Sequence, residues 1–112
     1  MSTVKVLVES KIHEKKIMVF SKTTCPFCKA AKDLLKKFYI DRGVVSPDDV
    51  EYMEIEQHRD CEAIKSYLQK KTGQRTVPRI FANGQTVGGY DDLKAYHANG
   101  YLRKMLDEPK PQ

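Results

Sequence analysis

A short β-type run, KIMVFS, leads directly into TTCPFCKAAK at residues 23–32, and the second stretch already carries a helical pattern. Cys28, Ala31, Leu34, Leu35 and Phe38 recur at the 3–4 spacing of one amphipathic face, while Lys29, Lys32, Lys36 and Lys37 fall on the other. Strand, turn and helix therefore follow without a linker, and two cysteines three positions apart sit at the junction. Thiols at that spacing can cycle through a disulfide, supply half of a metal site, or simply pack.

Around this junction the pattern predicts one domain over residues 1–112, with 107–112 (DEPKPQ follows Leu106) as a frayed tail. Val4, Leu7, Val8 and Ile12 mark a first helix, with Ser2 or Thr3 available as its cap. Residues 41–50 read as a loop with a short turn. EYMEIE alternates Tyr52, Met53 and Ile55 with carboxylates and reads as a second strand. From Asp60, a candidate N-cap, Ala63, Ile64, Tyr67 and Leu68 define a helix that stops at Gly73. RIFANGQTVGG has Asn83-Gly84 between two β-type runs, a hairpin signature. Leu93, Tyr96, Leu102, Met105 and Leu106 form a final helical region broken at Asn99-Gly100. The order α-β-α-β-α-β-β-α implies an α/β fold: a mixed four-stranded sheet with helices on both faces. A Cys-x-x-Cys after the first strand of such a unit suggests a thioredoxin-like fold.

Composition narrows the chemistry. With 40% hydrophobic and 31% charged residues, the chain is expected to be an ordinary soluble domain. No apolar run nears the roughly 20 residues of a membrane span. MSTVKVLVESKIHEK lacks the long apolar core of a secretory signal, so a cytoplasmic location is expected, with no membrane partner. The net charge of +5 is spread along the chain. KIHEKK and QKKTGQR are not interleaved with aromatics, so no nucleic-acid partner is expected. Three cysteines, Cys25, Cys28 and Cys61, are an odd count that argues against a secreted disulfide framework. A closed zinc site needs four ligands, and there is no second Cys-x-x-Cys pair, so no metal site is expected.

The two thiols are not equivalent by position. Cys25 precedes Pro26, which fits the first helical residue because it has no N–H to lose. Helix N-terminal charge, the free N–H groups of Phe27 and Cys28, and Lys22 three residues upstream would favour the Cys25 thiolate, as in cysteines whose pKa falls to roughly 3.5–7.5. Cys28, about one turn on, falls on the inner side. That suits an attacking and a resolving thiol. His13, His58 and His97 lie away from the pair in sequence and read as surface or partnered residues rather than bases.

Two later stretches add a surface for a ligand. In RTVPRIF, Pro78 stands at a strand entrance, where an ordinary trans proline is the plain reading. A cis Val77–Pro78 bond would instead turn the Val77 amide and carbonyl outward as a docking edge. In VGGYDDL, two glycines permit close backbone approach before a helix start. There Asp91 and Asp92 could cap the helix, accept from a ligand ammonium, or both.

Lys22-x-x-Cys25-Pro26-Phe27-Cys28, Thr76-Val77-Pro78 and Gly88-Gly89-Tyr90-Asp91-Asp92 together resemble the dithiol glutaredoxins, in order and over nearly the whole chain. Thioredoxin itself fits less well, since its Trp-Cys-Gly-Pro-Cys core is absent and the chain has no tryptophan. The resemblance implies a glutathione-disulfide oxidoreductase that reduces protein–glutathione mixed disulfides and protein disulfides, with Cys25 as nucleophile and Cys28 as resolving thiol. Glutathione would be a co-substrate rather than a tightly bound cofactor, and glutathionylated or disulfide-containing proteins the clients of a monomer. The implied glutathione contacts are Val77 and Thr76 ahead of Pro78, Lys22 and Arg75 at the glycine carboxylate, and Gly89, Asp91 and Asp92 at the γ-glutamyl end. Phe27 replaces a more frequent tyrosine as an aromatic wall. Lys65 stands where family members often place a carboxylate-binding glutamine, so it either makes that contact as a charge or turns to solvent.

The alternative implied by the same family is a dimer bridging an iron–sulfur cluster through Cys25 and glutathione. Relatives of that kind usually have glycine or serine where Pro26 stands. A redox-inert interaction domain would require both cysteines to be decorative. Cys61 precedes the apolar face of its helix and is expected to be a partly buried small residue, with regulatory glutathionylation as the functional alternative.

Overall fold

The computed structural model describes residues 3–109. Helix α1 (Thr3–Glu14) leads to strand β1 (Ile17–Ser21), and Pro26 opens α2 (Pro26–Leu35). After β2 (Val50–Glu54) come α3 (Cys61–Thr72), the hairpin of β3 (Arg79–Ala82) and β4 (Gln85–Gly88), then α4 (Tyr90–Ala98) and α5 (Tyr101–Asp107). The strands form one mixed sheet in the order β2-β1-β3-β4, with β1 parallel to β2 and antiparallel to β3.

β1 is central, and all five of its residues are buried. Its alternation divides the core into two layers, because successive side chains point to opposite faces. Ile17 and Val19 join Ala31, Leu35, Ile80, Leu93 and Leu102 beneath α2, α4 and α5. Met18 and Phe20 join Val8, Ile12, Ile64, Leu68 and Phe81 beneath α1 and α3. The sheet is thus covered on both faces, as the element order implies. Asn83 takes φ +52 and Gly84 φ +83 in the hairpin, the conformation Asn-Gly turns supply at low cost.

Four details differ from the sequence pattern. β2 ends at Glu54, and Ile55 lies in a short 3₁₀ turn (Ile55–Gln57), where it is fully buried against α3. α2 continues into a π-helical turn (Lys36–Ile40), and that wider turn buries Tyr39 more completely than Phe38. Asp60 occupies the N-cap of α3 but makes no side-chain cap bond; its N–H instead donates to His58 Nδ1 at 3.0 Å. Asp107 closes α5 rather than fraying, because buried Asn83 Nδ2 donates to the carbonyls of Met105 and Glu108. Ser2 and residues 110–112 lie outside the described residues, and Thr3 is helical rather than the cap.

Candidate functional site

The junction between β1 and α2 is built from backbone upward. Cys25 is the N-cap of α2 with extended φ −94 and ψ 115, and Pro26 follows in the first helical turn. The Cys25 N–H donates to the Lys22 carbonyl at 3.2 Å, closing the turn. The Cys25 sulfur then accepts the Cys28 N–H at 3.2 Å, one of the donors a helix start leaves free. Glu56, beyond β2, holds the turn from outside: its Oε2 accepts the Thr23 N–H at 2.8 Å and the Thr23 hydroxyl as well. Those bonds keep the Glu56 carboxyl below its ordinary pKa. Nothing local in the sequence links Glu56 to Thr23.

The thiols differ as their positions imply. Neither is in a disulfide; Cys25 is half-buried, whereas Cys28 is 0% exposed. Burial first, and hydrogen bonding with Cys25 second, push the Cys28 thiol up to about 12. Cys28 is therefore held as a neutral S–H near neutral pH, beside the one sulfur that faces outward.

Beside Cys25 lies a groove of about 360 Å³ lined by Phe27, Thr76, Val77, Pro78, Arg79, Gly89, Tyr90, Asp91 and Asp92. The Val77–Pro78 bond is cis, and the Val77 carbonyl oxygen lies 3.8 Å from Cys25 Sγ. Phe27 is 61% exposed and meets Tyr90 with ring centroids 6.2 Å apart, giving the groove an apolar wall. At the far end the Asp92 carboxylate accepts the Gly89 N–H at 3.0 Å and so caps α4. Gly88 has φ +122, and a Cβ there would fall 2.2 Å from Asp92 Oδ2. A Cβ on Gly89 would fall 2.8 Å from the Arg79 guanidinium. Gly88 is demanded both by its backbone conformation and by this close approach, whereas at Gly89 the Arg79 side chain would have to shift.

Seven of the sequence-derived positions thus line one groove next to the dithiol. Lys22, Lys65 and Arg75 do not line it. Lys65 Nζ lies 3.1 Å from Glu62 Oε2, and Arg75 Nη2 2.7 Å from Glu62 Oε1. Lys65 has therefore not turned to open solvent, though its partner here is a carboxylate of its own helix.

One groove residue escaped the sequence reading. Arg79 reads as an ordinary strand cation, yet it is buried, and its Nε donates to the Pro78 carbonyl at 3.2 Å. Burial lowers its pKa while Asp92 opposes the shift. Tyr90 was visible only as part of a motif. The histidines are engaged elsewhere: His13 near Glu9, His58 with the Asp60 N–H, His97 with the Tyr39 hydroxyl at 2.8 Å. Cys61 is half-buried against the α1/α3 core layer. Among the described residues no group of three or more His, Cys, Asp or Glu is placed to hold a metal ion. No helix among them is long and apolar enough to cross a membrane.

The family model described as Glutaredoxin matches residues 17–87, from the first residue of β1 to the middle of β4. The chain belongs to the glutaredoxin family. It is 43% identical over 106 residues to Glutaredoxin-1 of Rhizophagus irregularis, covering 95% of this chain and 97% of that one. To Glutaredoxin-1 of Sus scrofa it is 39% identical over 101 residues, covering 90% and 91%. A crystal structure of a buckwheat glutaredoxin–glutathione complex superimposes with a TM-score of 0.81 at 31% identity, covering 92% of this chain and 86% of that one. A wheat glutaredoxin superimposes with a TM-score of 0.82 at 30% identity, covering 97% and 96%. The fold is accordingly thioredoxin-like, and the family role is that of a thiol oxidoreductase.

Proposed function

We propose that this glutaredoxin is a glutathione-dependent oxidoreductase that reduces protein–glutathione mixed disulfides, and protein disulfides through its second cysteine. The observation that carries the reading is the asymmetry of the dithiol. One sulfur accepts a helix-start N–H and lies beside a groove; the other is buried and held as a thiol. The buckwheat neighbour solved with glutathione supports the choice of co-substrate.

In this reading the Cys25 thiolate attacks the glutathione sulfur of a mixed disulfide. The Cys25–glutathione bond forms, the old S–S bond breaks, and the protein thiolate leaves and takes up a proton. The thiolate of a second glutathione attacks the glutathione sulfur on Cys25, releasing oxidised glutathione and restoring the Cys25 thiolate. With a protein disulfide, Cys28 loses its proton as it attacks Cys25 in the mixed disulfide, giving Cys25–Cys28, which two glutathiones reduce. Val77 pairs with the cysteinyl backbone, Lys22, Lys65 and Arg75 receive the glycine carboxylate, and Asp91 and Asp92 receive the γ-glutamyl ammonium. Phe27 and Thr76 wall the groove. The same reading takes the protein as a monomer in a reducing, cytosol-like compartment.

A glutathione-coupled assay on a small mixed disulfide tests this with single mutants. Cys25→Ser is expected to lose activity on the order of a thousandfold or more, as removal of a nucleophile does. Cys28→Ser is expected to retain substantial deglutathionylation. Activity persisting in Cys25→Ser overturns the assignment.

A further inference from the structure

Lys65 and Arg75, which lie outside the groove's lining and are proposed to receive the glycine carboxylate, already hold a carboxylate. Glu62, in the first turn of α3, splits its two oxygens between two cations from different parts of the chain: Oε2 to Lys65 at 3.1 Å and Oε1 to Arg75 at 2.7 Å. Lys65 is one helical turn along α3, whereas Arg75 lies past the end of that helix, so the chain's course brings them together at carboxylate spacing. Resting on the reading that glutathione's glycine carboxylate binds these cations, we propose that Glu62 is an internal competitor for that carboxylate and tunes the affinity and selectivity of the site.

Exposure decides which partner yields. The Glu62 side chain is 75% exposed, against 19% for Lys65 and 40% for Arg75. Glu62 can swing into water and be solvated there, while the cations stay. Arg75 keeps a second anchor without Glu62, because its Nη1 donates to Ser66 Oγ at 3.1 Å. Lys65 keeps its packing. Removing Glu62 thus removes the competitor without dissolving the site, so competition outweighs any loss of preorganisation. Glu62 also sets a threshold: a thiol lacking the carboxylate cannot displace Glu62 and gains nothing from the cations.

The test compares wild type and Glu62→Gln with glutathione and with its glycine ethyl ester, which lacks the carboxylate charge. Glu62→Gln is expected to lower KM for glutathione about threefold at low ionic strength, the scale of an exposed ion pair. The difference should shrink at high salt, where exposed charges are screened. KM for the ester should stay the same in both proteins, so selectivity for the free carboxylate rises. An unchanged or higher KM for glutathione, or an equal fall for both thiols, overturns the competitor role. A wild type with no glutathione-coupled turnover overturns the parent reading instead, and the two failures are distinct.

Discussion

The Gly88–Asp92 end of the groove and the cation cluster outside its lining are made of different material. At the Gly88–Asp92 end the backbone is closely pinned: a Cβ on Gly88 would meet the short Asp92 side chain, and one on Gly89 the buried Arg79 guanidinium. In the cluster of Lys65 and Arg75, long flexible cations are balanced against an exposed carboxylate. The first end is rigid because its backbone is packed closely against its neighbours. The second is adjustable because its charges face water, where an ion pair contributes roughly 0–1 kcal/mol. In the proposed reading, a packed backbone frames the carboxylates at one end and adjustable ion pairs frame the other.

Breaking the rigid end should have the largest effect. Gly88→Ala puts a methyl against the Asp92 carboxylate in a backbone conformation that L residues rarely adopt. It should destabilise the fold by roughly 1–3 kcal/mol and raise KM for glutathione, read by urea denaturation and steady-state kinetics. A variant with wild-type stability and KM would show that this end is not rigid.

The dithiol offers a pH-dependent test of intermediate size. The Cys28 thiol rises from 9.0 in a free chain to about 12 in the fold. A raised pKa means that the folded state keeps a proton the unfolded state loses. Its stabilising contribution is full below pH 9.0 and is lost as pH climbs from there towards about 12. Under reducing conditions, wild type should therefore lose stability faster than Cys28→Ala as pH rises above 9.0. Parallel stability–pH curves would contradict a buried, proton-holding Cys28.

The adjustable end should give the smallest change. Arg75→Met is expected to raise KM for glutathione about two- to threefold at low salt, with little change in the denaturation midpoint. A change that persists at high salt would mean that Arg75 acts through packing rather than charge, and the contrast between the two ends would fall.

Much of this molecule is legible along the chain. The period-2 and 3.6 patterns placed the strands and helices to within a few residues, because burial on a sheet or helix face is imposed residue by residue. Ile55 and Tyr39 escaped that logic: a 3₁₀ turn and a π turn bury them out of phase with the regular repeats. The dithiol was legible because strand, turn, proline and cysteines are contiguous. Glu56 and Arg79 were not: the first reaches Thr23 across 33 positions, and the second is distinguished only by being buried against Pro78.

The order of elements and the unequal thiols were determined by local sequence, since each rests on periodicity or helix-start chemistry, while most groove residues were named through the resemblance of three motifs to a family. Which cations face which carboxylate was decided only by the tertiary structure. Ion pairing depends on distances of a few ångströms between residues such as Glu62 and Arg75, which are neighbours only because α3 ends and the chain turns back beside it. The same holds for the close approaches at Gly88 and Gly89. Sequence marks a glycine; only the packed neighbours show what it makes room for.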